Sequence, residues 1–200
     1  MDNNYIFQYW EAIQNGTVTV GKWIKTIYEI LVNDLKSGKW DFDEEKANKA
    51  INFIENFCHH SEGRNDLLKL ELWQKAIVSA IFGIMDKRTG YRQFREVFIV
   101  VARKNGKTLF AAAIAAYMAY IDGEYGAKVY FLAPKLDQAD LVYDAFYQIV
   151  QADDELDSIT KKRRSDIYIK EFNTSVKKIA FNSKKSDGFN PQMVVNDEME

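Results

Sequence analysis

Two short stretches of this 200-residue sequence bring together residue types that can do chemistry on phosphates. The first is Val97 to Thr108, VFIVVARKNGKT, where an apolar run breaks into a loop rich in cations and amide and then into the alanine-rich LFAAAIAAYMAYI of Leu109 to Ile121. The β-branched and aromatic content of Val97 to Val101 predicts a strand buried on both faces, and Leu109 to Ile121 favours helix. Such a strand-to-helix turn suits the phosphates of a nucleoside triphosphate. Backbone N–H groups of the Ala102 to Gly106 loop, through Arg103, Lys104 and Asn105, and the positive end of the helix can cradle the oxygens, while Gly106 lets the chain come close. Lys107 supplies a point charge for the β- and γ-phosphates, and the Thr108 hydroxyl is placed to hold Mg²⁺. The usual spacing, G-x-x-x-x-G-K-[ST], is met only in its last three positions, because Val101 stands where the first glycine belongs. The bland alternative is an ordinary turn with a solvated lysine.

The second stretch is Met193 to Glu198, MVVNDE, an apolar run ending in two carboxylates. Beside a phosphate loop, Asp197 is suited to hold Mg²⁺ through water and Glu198 to orient or deprotonate an attacking water. Asn196 interrupts the apolar run, so a strand ending in a solvated acidic turn stays open. Gln74, at the start of an expected helix, can both donate to and accept from the edge of adenine. An exposed helical glutamine is its ordinary reading. Cys58-His59-His60 has no partner Cys or His elsewhere, and the two histidines are expected at a helix C-terminus rather than on a metal.

Positioning these groups requires alternating helices and strands. Residues 4 to 14 put Tyr5, Ile6, Tyr9, Trp10 and Ile13 at helical spacing, and Val20 to Leu35 carries a stripe of Val20, Trp23, Ile24, Ile27, Leu31 and Leu35. Asp41 to Glu44 resembles a capping box opening a third helix through Phe57, with Ala47, Ala50, Ile51, Ile54 and Phe57 inward. A further helix starts near Leu72. Lys128 to Ala133 reads as a strand stopped by Pro134, Leu136 to Gln151 as an amphipathic helix, and Asp153 to Asp157 as an acidic loop. Asp166 to Phe172 and Lys177 to Asn182 read as short strands, and Asp187 to Pro191 as a turn. The alternation predicts an α/β fold, a mainly parallel sheet with helices on both faces, preceded by a helical extension at residues 1 to 62 and occupying residues 63 to 200.

Composition sets the bounds. Apolar residues make up 47% of the chain, enough for a core, and two prolines with ten glycines argue against low complexity. A single cysteine excludes an internal disulfide and fits a reducing compartment, and neither a signal peptide nor a membrane span is legible. The net charge of -2 conceals a segment, Lys161 to Lys185, with nine basic residues against two acidic ones. That segment suits a nucleic-acid backbone or, equally, solvated hairpin faces.

Taken in order, the helical lead-in (GTVTVGKWIKTIYEILVNDL, then FDEEKANKAINFIENF), LELWQ, VARKNGKT, VYFLAP and DGFNPQMVVNDE resemble the N-terminal part of tailed-bacteriophage large terminases. The resemblance covers nearly all of the chain. It implies a RecA-like P-loop NTPase fold with an additional strand, using ATP and Mg²⁺ to package double-stranded DNA into procapsids. It implies partners in a small terminase subunit, a portal protein and a homo-oligomeric ring, and action in the host cytoplasm. It aligns Gln74 with the family's adenine-binding glutamine, Lys107 and Thr108 with its phosphate and metal positions, Asp197 with its Mg²⁺ aspartate and Glu198 with its catalytic carboxylate. Arg103 matches a basic residue that stabilises charge on the γ-phosphate, a role contributing about 10³ to 10⁵ in rate in other NTPases. Because the sequence ends two residues after Glu198, the family's RNase H-like nuclease domain is expected outside it. Two other readings stay open: a helicase-like ATPase of the same broad fold, and a fragment that binds nucleotide or DNA without turnover.

Overall fold

The computed structural model describes residues 4–60, 63–180 and 190–196. The chain divides into two compact units, one formed by Met1–Phe53 with Lys69–Val100 and the other by Ile54–Leu68 with Val101–Glu200.

The first unit is helical. Helices α1 (Tyr5–Gln14), α2 (Lys22–Lys36), the greater part of α3 (Glu44–Phe57) and α4 (Leu72–Gly83) are joined by a two-residue antiparallel pair, β1 (Asp41–Phe42) with β2 (Ile84–Met85). Asn4 caps α1 by accepting the Ile6 N–H at 3.0 Å, and Asp43 accepts the Lys46 N–H at 3.0 Å at the start of α3. A core of Ile6, Tyr9, Trp10, Ile13, Tyr28, Val32, Ala76 and Ile84 ties α1 to α2 and α4. The stripe predicted for α2 holds in part, since Val20, Leu31 and Leu35 pack against that core. Tyr28 and Val32 are its buried residues, whereas Trp23 is 74% exposed and Ile24 and Ile27 are also exposed. Tyr28 pairs edge-on with Tyr9, ring centroids 4.8 Å apart, and so lies on the buried face with Val32.

The strand predicted at Val97 to Val101 does not form. No ladder among the described residues includes it, and Val97, Phe98 and Val100 are exposed. A strand is held by a neighbour's backbone, which β-branched residues cannot supply for themselves.

The second unit is α/β. It runs through α5 (Lys107–Tyr120), β3 (Lys128–Ala133), α6 (Leu136–Ala152), α7 (Asp154–Ile159), β4 (Thr160–Lys162), β5 (Ile167–Ile169), β6 (Thr174–Ala180) and β7 (Met193–Asn196). The five strands lie in the order β4-β5-β6-β3-β7, with β6, β3 and β7 parallel and β4 and β5 antiparallel. Phe131 of β3 packs on Tyr143 and Phe146 of α6, and Tyr120 of α5 stacks on Phe146 and shares a 2.6 Å hydrogen bond with Thr160 of β4. Within this unit α5 and α6 flank a mainly parallel sheet, as the alternation predicts. The expected acidic loop is the short helix α7, because the Asp153 side chain accepts the N–H groups of Glu155 and Leu156 at 3.0 Å each. Among the described residues no helix is long and apolar enough to cross a membrane.

Candidate functional site

Ala102 to Gly106 form an exposed loop that leads directly into α5. Lys104 has φ 68° and Gly106 φ 69°, and the Asn105 between them does not share this left-handed conformation. Alternation of this kind turns successive N–H groups toward one side, the backbone concavity that receives anions. Gly106 is the N-cap of α5 and its carbonyl accepts the Phe110 N–H at 2.9 Å. The first N–H groups of a helix have no intrahelical acceptor. Gly106 at the N-cap has no side chain to cap them, and the positive end of the helix dipole lies at this turn.

Asn105 has a task that the sequence did not disclose. Its side-chain amide donates to the Ala102 carbonyl at 3.0 Å and to the Arg103 carbonyl at 3.4 Å, folding the loop back on itself. Lys107 and Thr108, the first two residues of α5, are half-buried, and Arg103 and Lys104 are exposed. Below them α5 is almost wholly enclosed from Ala112 to Tyr120, so the loop stands on a rigid support.

The other predicted residues fall differently. Gln74 is buried in the helical unit, and its side-chain oxygen accepts the Glu71 backbone N–H at 2.9 Å in a reciprocal capping box at the start of α4. The bond uses the acceptor half of its amide. Asp197 and Glu198 lie outside the described residues, as do Asp187, Gly188 and Phe189 of the predicted turn. The strand that leads to the acidic pair is present: β7 lies beside β3, register Val129 to Met193 through Leu132 to Asn196. His59 and His60 follow α3, where the His59 ring bonds the Asn65 carbonyl at 3.0 Å and the His60 ring meets Arg64 at 2.6 Å.

The basic segment is partly neutralised. Arg163 donates twice to the buried Asp166 carboxylate, at 2.7 and 2.6 Å, and this pairing holds the Arg163 guanidinium above its usual pKa. Lys178 of β6 pairs with Asp140 of α6. Lys161, Lys162, Arg164 and Lys170 stay exposed, with the Lys162 ammonium 4.0 Å from the centroid of the Tyr147 ring. Lys184 and Lys185 lie outside the described residues.

The model of the terminase large subunit ATPase domain matches residues 72–200. The chain belongs to that family. Among solved structures, the crystal structure of the HK97 bacteriophage large terminase matches with a TM-score of 0.65 at 24% identity, over 76% of this chain and 31% of that one. The likeness gives the fold, that of a terminase ATPase domain, and the chain spans less than a third of the length of its HK97 relative. No curated protein matches the chain. Membership of the family brings nucleotide use and ATP hydrolysis in general.

The residues present fit a triphosphate. The left-handed pair at Lys104 and Gly106, the glycine N-cap of α5 and the cations Arg103, Lys104 and Lys107 offer donors and positive charge to an anion. Thr108, the second residue of α5, adds a hydroxyl, an oxygen type that Mg²⁺ accepts as a ligand.

Proposed function

We propose that this chain is the ATP-hydrolysing part of a motor that packages double-stranded DNA into a phage procapsid. The observation that carries the reading is the alternating backbone of Lys104 to Gly106 leading into a helix with glycine at its N-cap, in a chain of the terminase ATPase family.

In this reading the loop N–H groups and Lys107 grip the β- and γ-phosphates, and the Asn105 amide keeps the loop in its curved shape before nucleotide arrives. Arg103 approaches the γ-phosphate and stabilises charge as the terminal bond breaks. Glu198 orients the attacking water and takes its proton. Thr108 and Asp197 would hold Mg²⁺, whose bound charge offsets that on the transferring phosphoryl group. Gln74 reads adenine through its amide donor, its carbonyl being committed to the Glu71 N–H. The division between a helical extension at residues 1 to 62 and an ATPase domain at 63 to 200 belongs to the same proposal.

Double-stranded DNA is the cargo, and the small terminase subunit, the portal protein and further copies of the chain in a ring are the partners, in the host cytoplasm. The exposed cations Lys161, Lys162 and Arg164 at the β4 edge support contact with the phosphate backbone. Replacing Lys107→Ala in the intact protein tests the loop. The expected result is loss of DNA-stimulated phosphate release, and unchanged turnover would refute the assignment.

A further inference from the structure

Strand β7 carries the chain to Asp197, and its own sequence does not fix where it lies. In Met193-Val194-Val195-Asn196, Met193 and Val195 are half-buried while Val194 and Asn196 are exposed. A slip of one residue would turn Val194 and Asn196 inward in place of Met193 and Val195, so with apolar residues on both faces only Asn196 sets the hydrophobic pattern against it. Among the described residues β7 pairs only with β3. Yet a slip of one residue would shift β7 by about 3.3 Å and turn each of its side chains to the opposite face.

The residue before the strand resists that slip. The Gln192 backbone N–H donates to the Lys128 carbonyl at 2.9 Å, at the start of β3. Its side-chain amide donates to the Asp122 carbonyl at 3.0 Å, and its side-chain oxygen accepts the Glu124 N–H at 3.1 Å. Asp122 and Glu124 belong to the turn directly after α5, the helix that begins at the phosphate loop. The turn is tight at Gly123, where an added Cβ would stand 2.8 Å from the Met118 carbonyl oxygen. Gln192 thus ties the far end of α5 to the near end of β7.

We infer that Gln192 is a positioning residue for ATP hydrolysis, setting the register that presents Asp197 and Glu198 to the phosphate loop. The inference rests on the proposed ATPase reading of that loop. The phosphate loop opens α5 and the two carboxylates follow β7 in the sequence, so loosening the clamp should spare nucleotide binding and harm turnover.

The test compares Gln192→Leu, which loses both side-chain bonds at similar volume, with Gln192→Glu, which keeps the acceptor for Glu124 and loses the donor to Asp122. In the intact protein, Gln192→Leu should bind ATP within about twofold of wild type while kcat falls about 10²-fold, the loss a 1 Å misplacement can cause. Gln192→Glu should lose less, and amide hydrogen exchange at residues 193 to 196 should quicken in the same order. Unchanged kcat in both variants, or an equal fall in affinity and kcat, would overturn the positioning role and leave the loop's assignment standing. Retained ATP binding and hydrolysis in Lys107→Ala would instead overturn the reading beneath it.

Discussion

Replacing Gly106→Ala isolates the backbone shape of the phosphate loop from its charges. A Cβ built at Gly106 meets nothing within 4 Å, so no steric clash accompanies the change, and its effect comes from the φ of 69° alone. An L-residue held there costs about 1 to 2 kcal/mol. If the loop must keep this conformation to receive phosphate, that cost enters binding, and nucleotide affinity should fall about 5- to 30-fold. Global stability should change less, because alanine also restricts the unfolded chain by about 0.4 to 1 kcal/mol in the opposite direction. Gly16→Ala is a matched control, since Gly16 has φ 78° and equally open surroundings but follows α1. Titration of the intact protein with ATP and Mg²⁺, followed by calorimetry beside thermal melts, separates the two variants. Wild-type affinity in Gly106→Ala, or equal weakening in Gly16→Ala, would refute the claim that the left-handed turn at Gly106 forms the phosphate site.

Changing Lys161, Lys162 and Arg164 together to Gln should flatten the dependence of DNA affinity on salt by about 2 to 3 in the log–log slope, near 0.9 per lost phosphate contact; an unchanged slope would leave these charges as surface only. Arg163→Ala should behave otherwise and lower the melting temperature, because it strips the buried Asp166 carboxylate of its guanidinium. Cys58 is fully buried, and burial, followed by the nearby Asp153 charge, pushes its thiol well above the ordinary range. Folding stability from this group is complete below about pH 8.5, the unfolded value, and falls as pH rises past it by about 1.4 kcal/mol per pH unit. Denaturation between pH 7 and 10 should show that slope and Cys58→Ala should remove it, while iodoacetamide should label Cys58 only after unfolding; rapid labelling of the folded protein would contradict the burial.

Much of the second unit was legible because its signals are local. Pro134 closes β3, the apolar spacing of Ala139, Val142, Tyr143, Phe146 and Val150 makes α6, and Gly106-Lys107-Thr108 opens α5. Each depends on residues within a few positions of one another. The residues that act across the fold gave weaker signals. Gln192, beside Pro191, looks like a loop residue until Asp122 and Glu124, about 70 positions away in sequence, come to meet it.

By itself the sequence determined the main helices, strands β3 and β7 and the family resemblance, since periodicity, turn residues and motif spacing are written along the chain. The tertiary structure decided which face of α2 is buried, that Val97 to Val101 lacks a strand partner, that Arg163 is spent on Asp166, and that Asn105 and Gln192 hold backbone in place. Burial, pairing and charge neutralisation belong to neighbours in space, and a residue acquires them only when the chain has closed around it.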